Sequence, residues 1–451
     1  MKTMKLKKQP VLNVGIMAET RVEFVLETGY HQGPTQFQQG EYSVELKKGK
    51  MILQGTDILI ISEEQIVLNP VFKTNAFLLK GVTIGIGFHW EKKEHQRFTG
   101  GIRFIPENGK VRVINTVHLE DYLKSVISSE MSATSSPELL KAHAVISRSW
   151  LLAQLEKSKK VAASGEKYTT SQIGDDEIVR WYDREDHTLY DVCADDHCQR
   201  YQGITKIISG QAAMAVEATT GEVLTAGDDI CDTRFSKCCG GISENFENVW
   251  EPEPKSYLTA VTDHKPLGSP PSKNLTLEKE AEKWILGSPD VFCNTTDTTV
   301  LAQVLPDFDQ ETRDFFRWQV TYGQEELSAL VKTRSGIDFG EIVKLEPLQR
   351  GFSGRILRLK ITGTRRTMIV GKELEIRKWL SASHLYSSAF VVSYDDMHGG
   401  IPGKIILRGA GWGHGAGLCQ IGAAVMGEKG YSYDQILAHY FKNAQLTKLY
   451  K

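Results

Sequence analysis

A glutamate stands where the pattern calls for an apolar residue. In Leu119-Glu-Asp-Tyr-Leu-Lys-Ser-Val-Ile-Ser-Ser-Glu-Met131, the apolar positions Leu119, Tyr122, Leu123, Val126 and Ile127 recur at three and four residues. That is the period of one helix face, and the next place in the series is Glu130. Burial disfavours a carboxylate's charge, so a carboxyl group turned toward a core keeps its proton more readily. A proton held near neutral pH is what a general acid needs. The structural alternative is a buried glutamate that pairs with an arginine or caps a neighbouring backbone.

Four further groupings could carry chemistry. Lys141, Ala144, Val145 and Arg148 share one face of a second helix, where two cations beside small residues would let a polar chain approach. A solvated face is the plainer alternative. His187-Thr-Leu-Tyr-Asp-Val-Cys193-Ala-Asp-Asp-His197-Cys198 packs two thiols and two imidazoles into one short segment. Its Cys-x4-Cys spacing suits a zinc site, and a disulfide or packed thiols are the alternatives. Cys238-Cys239-Gly240-Gly241 sets vicinal thiols before backbone that is free to approach a ligand, as at a site edge. Cys239 activated by His414 would make a cysteine hydrolase. Gly411-Trp412-Gly-His414-Gly-Ala-Gly417 surrounds one Trp and one His with glycines. The Trp offers a face on which sugars stack, and the His could orient a carboxylate or shuttle a proton. There is no phosphate-loop lysine, no Gly-x-Ser-x-Gly elbow and no dinucleotide fingerprint.

The elements that must position these residues read as α+β. Residues 1–115 form a β-rich N-terminal domain. Pro10 to Met17 reads as a strand; Tyr42, Val44 and Leu46 alternate before a turn into Met51; and Asn108-Gly109 joins two alternating runs as a hairpin. Residues 116–265 form a catalytic core of two helices over 117–158, with strands and turns after residue 200. Ser135 or Ser136 caps the second helix, and Glu138 completes a capping box if Ser135 is the cap. Residues 266–400 are an inserted or accessory α/β region behind the linker Gly268-Ser-Pro-Pro-Ser272. It includes a strand from Arg355 to Ile361. Residues 401–451 return to the core, with a strand over Lys404–Leu407, the Gly-rich loop, and a last helix opened by the capping box Ser432-Tyr-Asp-Gln435.

Composition narrows the classes. With 451 residues, two or three domains are expected. The contents, 41% hydrophobic and 24% charged, are those of a globular chain, and a net charge of -2 gives no nucleic-acid footprint. No stretch approaches the ~20 apolar residues of a membrane span. Met1 to Lys8 is basic like the start of a signal peptide, yet no apolar segment follows. Seven cysteines cannot all pair within one chain, and five of them fall between Cys193 and Cys239, which favours metal or site chemistry over a disulfide framework.

Taken in order, several segments resemble one family, the stage II sporulation protein D / amidase-enhancer family of peptidoglycan lytic enzymes. They are Val113 to Leu123, Ser129-Glu-Met131, Leu140 to Arg148, Cys198-Gln-Arg-Tyr201, Cys238 to Gly241 with Val249-Trp250, Tyr257-Leu258, Gly411 to Gly415 with Gln420 to Ala423, and Ile436 to Tyr440. The resemblance implies a lytic transglycosylase that breaks the β-1,4 bond after N-acetylmuramic acid and closes a 1,6-anhydro ring. Glu130 would be its acid and base, with Lys141 and Arg148 at positions that matter for activity. Gln199, Tyr201, Cys239, Gly240, Trp412, His414 and Gln420 would line the substrate cleft. It also implies zinc on His187, Cys193 and Cys198, which match the family pattern better than His197. The expected partners are peptidoglycan glycan strands and a cell-wall amidase, in an extracytoplasmic setting. Many members carry Ser where Cys239 stands and Tyr where Phe235 stands. The alternative function is a wall-binding amidase enhancer that cleaves nothing.

Overall fold

The structure, a computed structural model, describes residues 8–86, 91–132, 135–164, 170–181, 187–195, 197–207, 210–305 and 314–451. The fold is α+β. The leading residues of the basic N-terminal segment lie outside the described residues, as does Asp196.

Strand Val11–Glu19 pairs antiparallel with Lys110–His118, which forms the hairpin with Gly101–Glu107. The turn residues Asn108 and Gly109 both have positive φ, 48° and 78°, as the tight hairpin requires. These strands belong to a seven-stranded sheet facing a six-stranded one. The alternating apolar residues of both, Val14, Phe24, Val44, Leu53, Phe104 and Val113 among them, are fully buried in one core.

Lys110–His118 runs straight into helix α1 (Leu119–Glu130), so the sheet fixes where the helix begins. Its apolar stripe is completely buried, as the period requires. Glu130 is only half-buried, because the helix stops there and Met131 turns to extended backbone. The expected burial toward the core is thus partial. Helix α2 (Pro137–Ser164) follows. Ser136 is its cap, accepting from the Leu139 N–H at 3.3 Å, while the Ser135 hydroxyl donates instead to the Gln303 carbonyl at 2.8 Å. The predicted box through Glu138 does not form; that carboxylate takes Lys141 and the Tyr433 N–H, each at 2.7 Å. From Ala142 to Leu152 this helix is buried on every side, because α1, α3 (Gly210–Ala218), α8 (Gln420–Glu428) and α9 (Tyr433–Tyr440) pack around it. Helix α3 sits where the sequence suggested only strands and turns. The second capping box is present, with the Ser432 N–H donating to the Gln435 side chain at 3.2 Å.

Two short helices of the 266–400 stretch, α4 (Glu278–Leu286) and α5 (Thr298–Val304), precede a second apolar core built on Trp318, Leu327, Phe339, Leu359, Trp379 and Leu407. Helices α6 (Gln324–Ser335) and α7 (Glu373–Trp379) pack there against strands Ile342–Arg350, Ile356–Gly363 and Thr367–Gly371. Strand Ile401–Ala410 lies between Arg317–Gly323 and Phe390–His398, then delivers the Gly-rich loop to the first core.

Candidate functional site

Glu130 ends α1 with one carboxylate oxygen accepting the Arg200 N–H at 3.2 Å. The chain before Arg200 is built onto the edge of the seven-stranded sheet: Val192–Cys193 pairs parallel with Val14 and Gly15. Gly15 has no room for a side chain, since a Cβ there would lie 2.7 Å from the Tyr190 ring. Gln199 and Tyr201, both predicted to line the cleft, are buried and lock this segment to the helices. Gln199 donates to the Ser147 carbonyl at 3.3 Å and accepts from the Tyr122 hydroxyl at 3.5 Å. Tyr201 stacks on Tyr122 with ring centroids 5.0 Å apart and donates to Asn115 at 2.6 Å. Arg200 itself was not singled out from sequence, since a backbone N–H leaves no side-chain signal.

Directly beside this point, His187, Cys193, His197 and Cys198 offer ligand atoms that all lie within 4.8 Å of one another. The Cys198 sulfur is 3.5 Å from His187 Nε2 and 3.6 Å from His197 Nδ1, and the Cys193 sulfur is 3.8 Å from His197 Nδ1. Zinc bonds of ~2.3 Å to sulfur and ~2.0–2.1 Å to nitrogen at tetrahedral angles put sulfur and nitrogen about 3.6 Å apart. These distances suit a metal ion, and His197 stands beside His187, Cys193 and Cys198 as a further candidate ligand. The turn closed by the Cys198 N–H on the Asp195 carbonyl, 3.0 Å, lets adjacent residues aim at one point. The Cys193 thiol is held far below its ordinary value by hydrogen bonding with Cys198 and then with both imidazoles, against the opposing effect of burial. A cavity of about 290 Å³ opens against this cluster, lined by Ile16, Arg112, Tyr190, Asp195 and Arg200.

The Gly-rich loop forms a second grouping. Trp412 exchanges backbone hydrogen bonds with Cys238 at 2.8 and 3.0 Å, and its half-buried ring stacks on Phe315 at 4.5 Å. Gly240 has φ +80° against the Gly411 backbone. Gly415 must be glycine, because a Cβ would lie 2.3 Å from the fully buried Arg355 guanidinium. Arg355 ties both glycine turns together, donating to the Cys239 carbonyl at 3.2 Å and the Gly413 carbonyl at 2.9 Å. No residue pattern announces this role, since its partners are backbone carbonyls far along the chain. His414 packs edge-on to Trp250 and accepts the Ala416 N–H at 3.1 Å. Burial, then the charges of Arg234 and Arg355, push it well below the usual histidine range, which favours the neutral ring. The Cys239 thiol is buried and pushed up by that burial, the opposite of an activated nucleophile. The cysteine-hydrolase alternative is set aside on that ground.

Helix α2 joins the two groupings. The fully buried His143 meets Ser147 at 3.2 Å and Gln420 at 3.3 Å, with its ring 4.6 Å from that of Phe235. Lys141 and Arg148 face elsewhere. Lys141 pairs with Glu138 and lies over the Tyr433 ring at 5.7 Å. Arg148 is wholly buried against Glu120, at 3.1 and 2.7 Å, and also donates to the Glu222 carbonyl at 2.9 Å. Glu120 lies roughly 15 Å from Glu130 along α1 at ~1.5 Å per residue. The structure thus brings Glu130 together with the Gln199–Tyr201 segment and the Cys/His cluster. Lys141 and Arg148 pair with other carboxylates, Glu138 and Glu120.

Residues 107–225 match a family model described as stage II sporulation protein, and residues 244–417 match one described as a domain of unknown function (DUF8618). Stage II sporulation protein D of Bacillus amyloliquefaciens is 23% identical over 74% of this chain and 76% of its own length. An uncharacterised protein of Brachyspira hyodysenteriae is 24% identical over 78% of this chain and 72% of its own. An amidase enhancer of Bacillus subtilis is 25% identical over 72% of this chain and 40% of its own length.

Proposed function

Because this chain belongs to the stage II sporulation protein D and amidase-enhancer family, we propose that it is a peptidoglycan lytic transglycosylase with Glu130 as its acid and base. One observation carries the reading. Glu130 is the half-exposed carboxyl group at the end of a helix whose other stripe residues are buried, and one of its oxygens is already fixed by the Arg200 N–H. The other oxygen is left for substrate. Glu130 first gives its proton to the glycosidic oxygen as the β-1,4 bond after N-acetylmuramic acid breaks. The resulting carboxylate then takes the proton of the sugar's own C6 hydroxyl as that oxygen closes the 1,6-anhydro ring. A single carboxyl group suffices, whereas hydrolysis by water ordinarily uses two at set separations.

His187, Cys193, His197 and Cys198 would hold zinc in a closed four-ligand site, of the structural kind that leaves no position for water. When bound, the ion stiffens the loop that carries Arg200 and so aims Glu130. Trp412 supplies a stacking face for a sugar ring. Lys141 and Arg148 act as positioning residues through the packing of α1 against α2. The setting is extracytoplasmic, where glycan strands and a cell-wall amidase are met; no described helix is long and apolar enough to cross a membrane.

Glu130→Gln keeps the shape and removes the proton donor, so release from dye-labelled cell walls is expected to fall by about 10²–10⁴-fold with glycan binding retained. Undiminished release would overturn the assignment. A second reading, a wall-binding amidase enhancer, draws on the engagement of Lys141 and Arg148 by Glu138 and Glu120 in place of Glu130. It predicts binding without release in both forms.

A further inference from the structure

Cys239, Asp263, Cys293 and Cys419 form a second cluster, fully enclosed, whose ligand atoms all lie within 4.8 Å of one another. They come from three distant parts of the chain. Cys239 follows the short strand Phe235–Ser236, which pairs in parallel with Leu418–Cys419, and Cys293 arrives from the connection between α4 and α5. The Cys239 and Cys293 sulfurs are 3.6 Å apart. A disulfide needs about 2.05 Å, whereas sulfurs sharing one tetrahedral zinc at ~2.3 Å lie about 3.8 Å apart.

The surroundings suit a cation. Asp263 is a carboxylate with no exposure at all. Its oxygens accept the Cys293 N–H at 2.9 Å and the Tyr440 hydroxyl at 2.6 Å, which orients it as supporting hydrogen bonds orient a ligating carboxylate. The nearby His439 ring accepts the Gly268 N–H on Nδ1 at 2.8 Å, so its Nε2, 3.6 Å from Asp263, carries the proton of a neutral ring. The Cys239 N–H donates to the Cys419 sulfur at 3.2 Å, as backbone does to a thiolate. The carboxylate lies beside buried thiols, Cys238 also reaching Cys293 and Cys419, with the partly buried Arg317 guanidinium facing them, and soft sulfurs select zinc over calcium or magnesium.

We infer that Cys239, Cys293, Cys419 and Asp263 bind a second zinc ion, distinct from the Cys/His site, which fastens the α4–α5 connection to the Gly-rich loop. The three thiols release their protons to solvent as the ion binds. Through the backbone pairing of Cys238 with Trp412, the ion would hold the stacking face in place.

The test is the zinc content of the purified full chain, by elemental analysis, for the wild type, Cys198→Ser, Cys293→Ser and the double variant. Two equivalents in the wild type, one in each single variant and none in the double variant are expected. If the Cys/His site holds no zinc, the wild type carries one equivalent that survives Cys198→Ser and is lost with Cys293→Ser, which still supports the second site. A single equivalent lost with Cys198→Ser, or none in the wild type, overturns it. Both overturning results need only the wild type and Cys198→Ser, so they stand even if Cys293→Ser does not fold.

Discussion

The proposed chemistry rests on a few atoms, and one of those that matter most leaves no trace in the sequence. Glu130 was legible because a carboxylate interrupted an apolar helix stripe, and the structure adds why it is reachable: the helix ends at that residue. The Arg200 N–H that orients it is main chain, so no residue pattern announces it. His197 is legible as a neighbour of Cys198, and the turn from Asp195 to Cys198 lets the two adjacent residues offer atoms to one point. With four comparable ligand positions, His197→Ala should lower zinc content about as much as His187→Ala. Each should cost more than the ~10–100-fold in affinity typical of losing a mere supporting residue. Elemental analysis of the two variants checks this; full zinc occupancy in His197→Ala would return the site to three ligands. His143 gives a pH prediction. Burial, then the charge of Lys237, lowers it from 6.5 to about 3. The unfolded chain therefore takes up the proton first as pH falls, and the neutral ring's contribution, complete above 6.5, is lost on descending toward 3. Between pH 7 and 5 this one group removes roughly 2 kcal/mol of stability. His143→Gln should flatten that part of the urea-unfolding profile relative to wild type.

Among the elements, α1 and α2 decide the geometry. Their existence and buried stripes follow from period, as does the Asn108-Gly109 hairpin that feeds α1. The face carrying Lys141 and Arg148 was equally plain, yet periodicity tells only which residues share a face, not which neighbour covers it. Here the partner of Arg148 is Glu120, one helix earlier, joined by the Tyr450 hydroxyl at 2.6 Å from the chain's end. Removing one member of a buried pair strands the other charge. Arg148→Met should therefore lower unfolding free energy by about 3–5 kcal/mol, with Glu120→Leu in the same chain recovering part of it. Urea unfolding of both variants tests this. Activity lost from Arg148→Met while stability is unchanged would mean that the guanidinium serves the substrate directly. The short helix α3 escaped the reading because its apolar residues are mostly small alanines, which give little contrast between faces.

Across the whole molecule, the N-terminal strands, α1, α2 and the C-terminal helices share one core, and residues from Trp318 to Leu407 build a second. The β-rich start was readable because alternation is a local signal. The role of Arg355 was not, because it is long-range: its guanidinium holds the Gly-rich loop to the Cys239 carbonyl. Catalysis by a single carboxyl group on such a frame makes a definite claim about products. Peptide-free glycan strands incubated with wild type and with Glu130→Gln, and resolved by mass spectrometry, test it most directly. The account predicts 1,6-anhydro-ended sugars from wild type and none from the variant. Products with free reducing ends would contradict it, since they require water and a second carboxylate in place of the sugar's own hydroxyl.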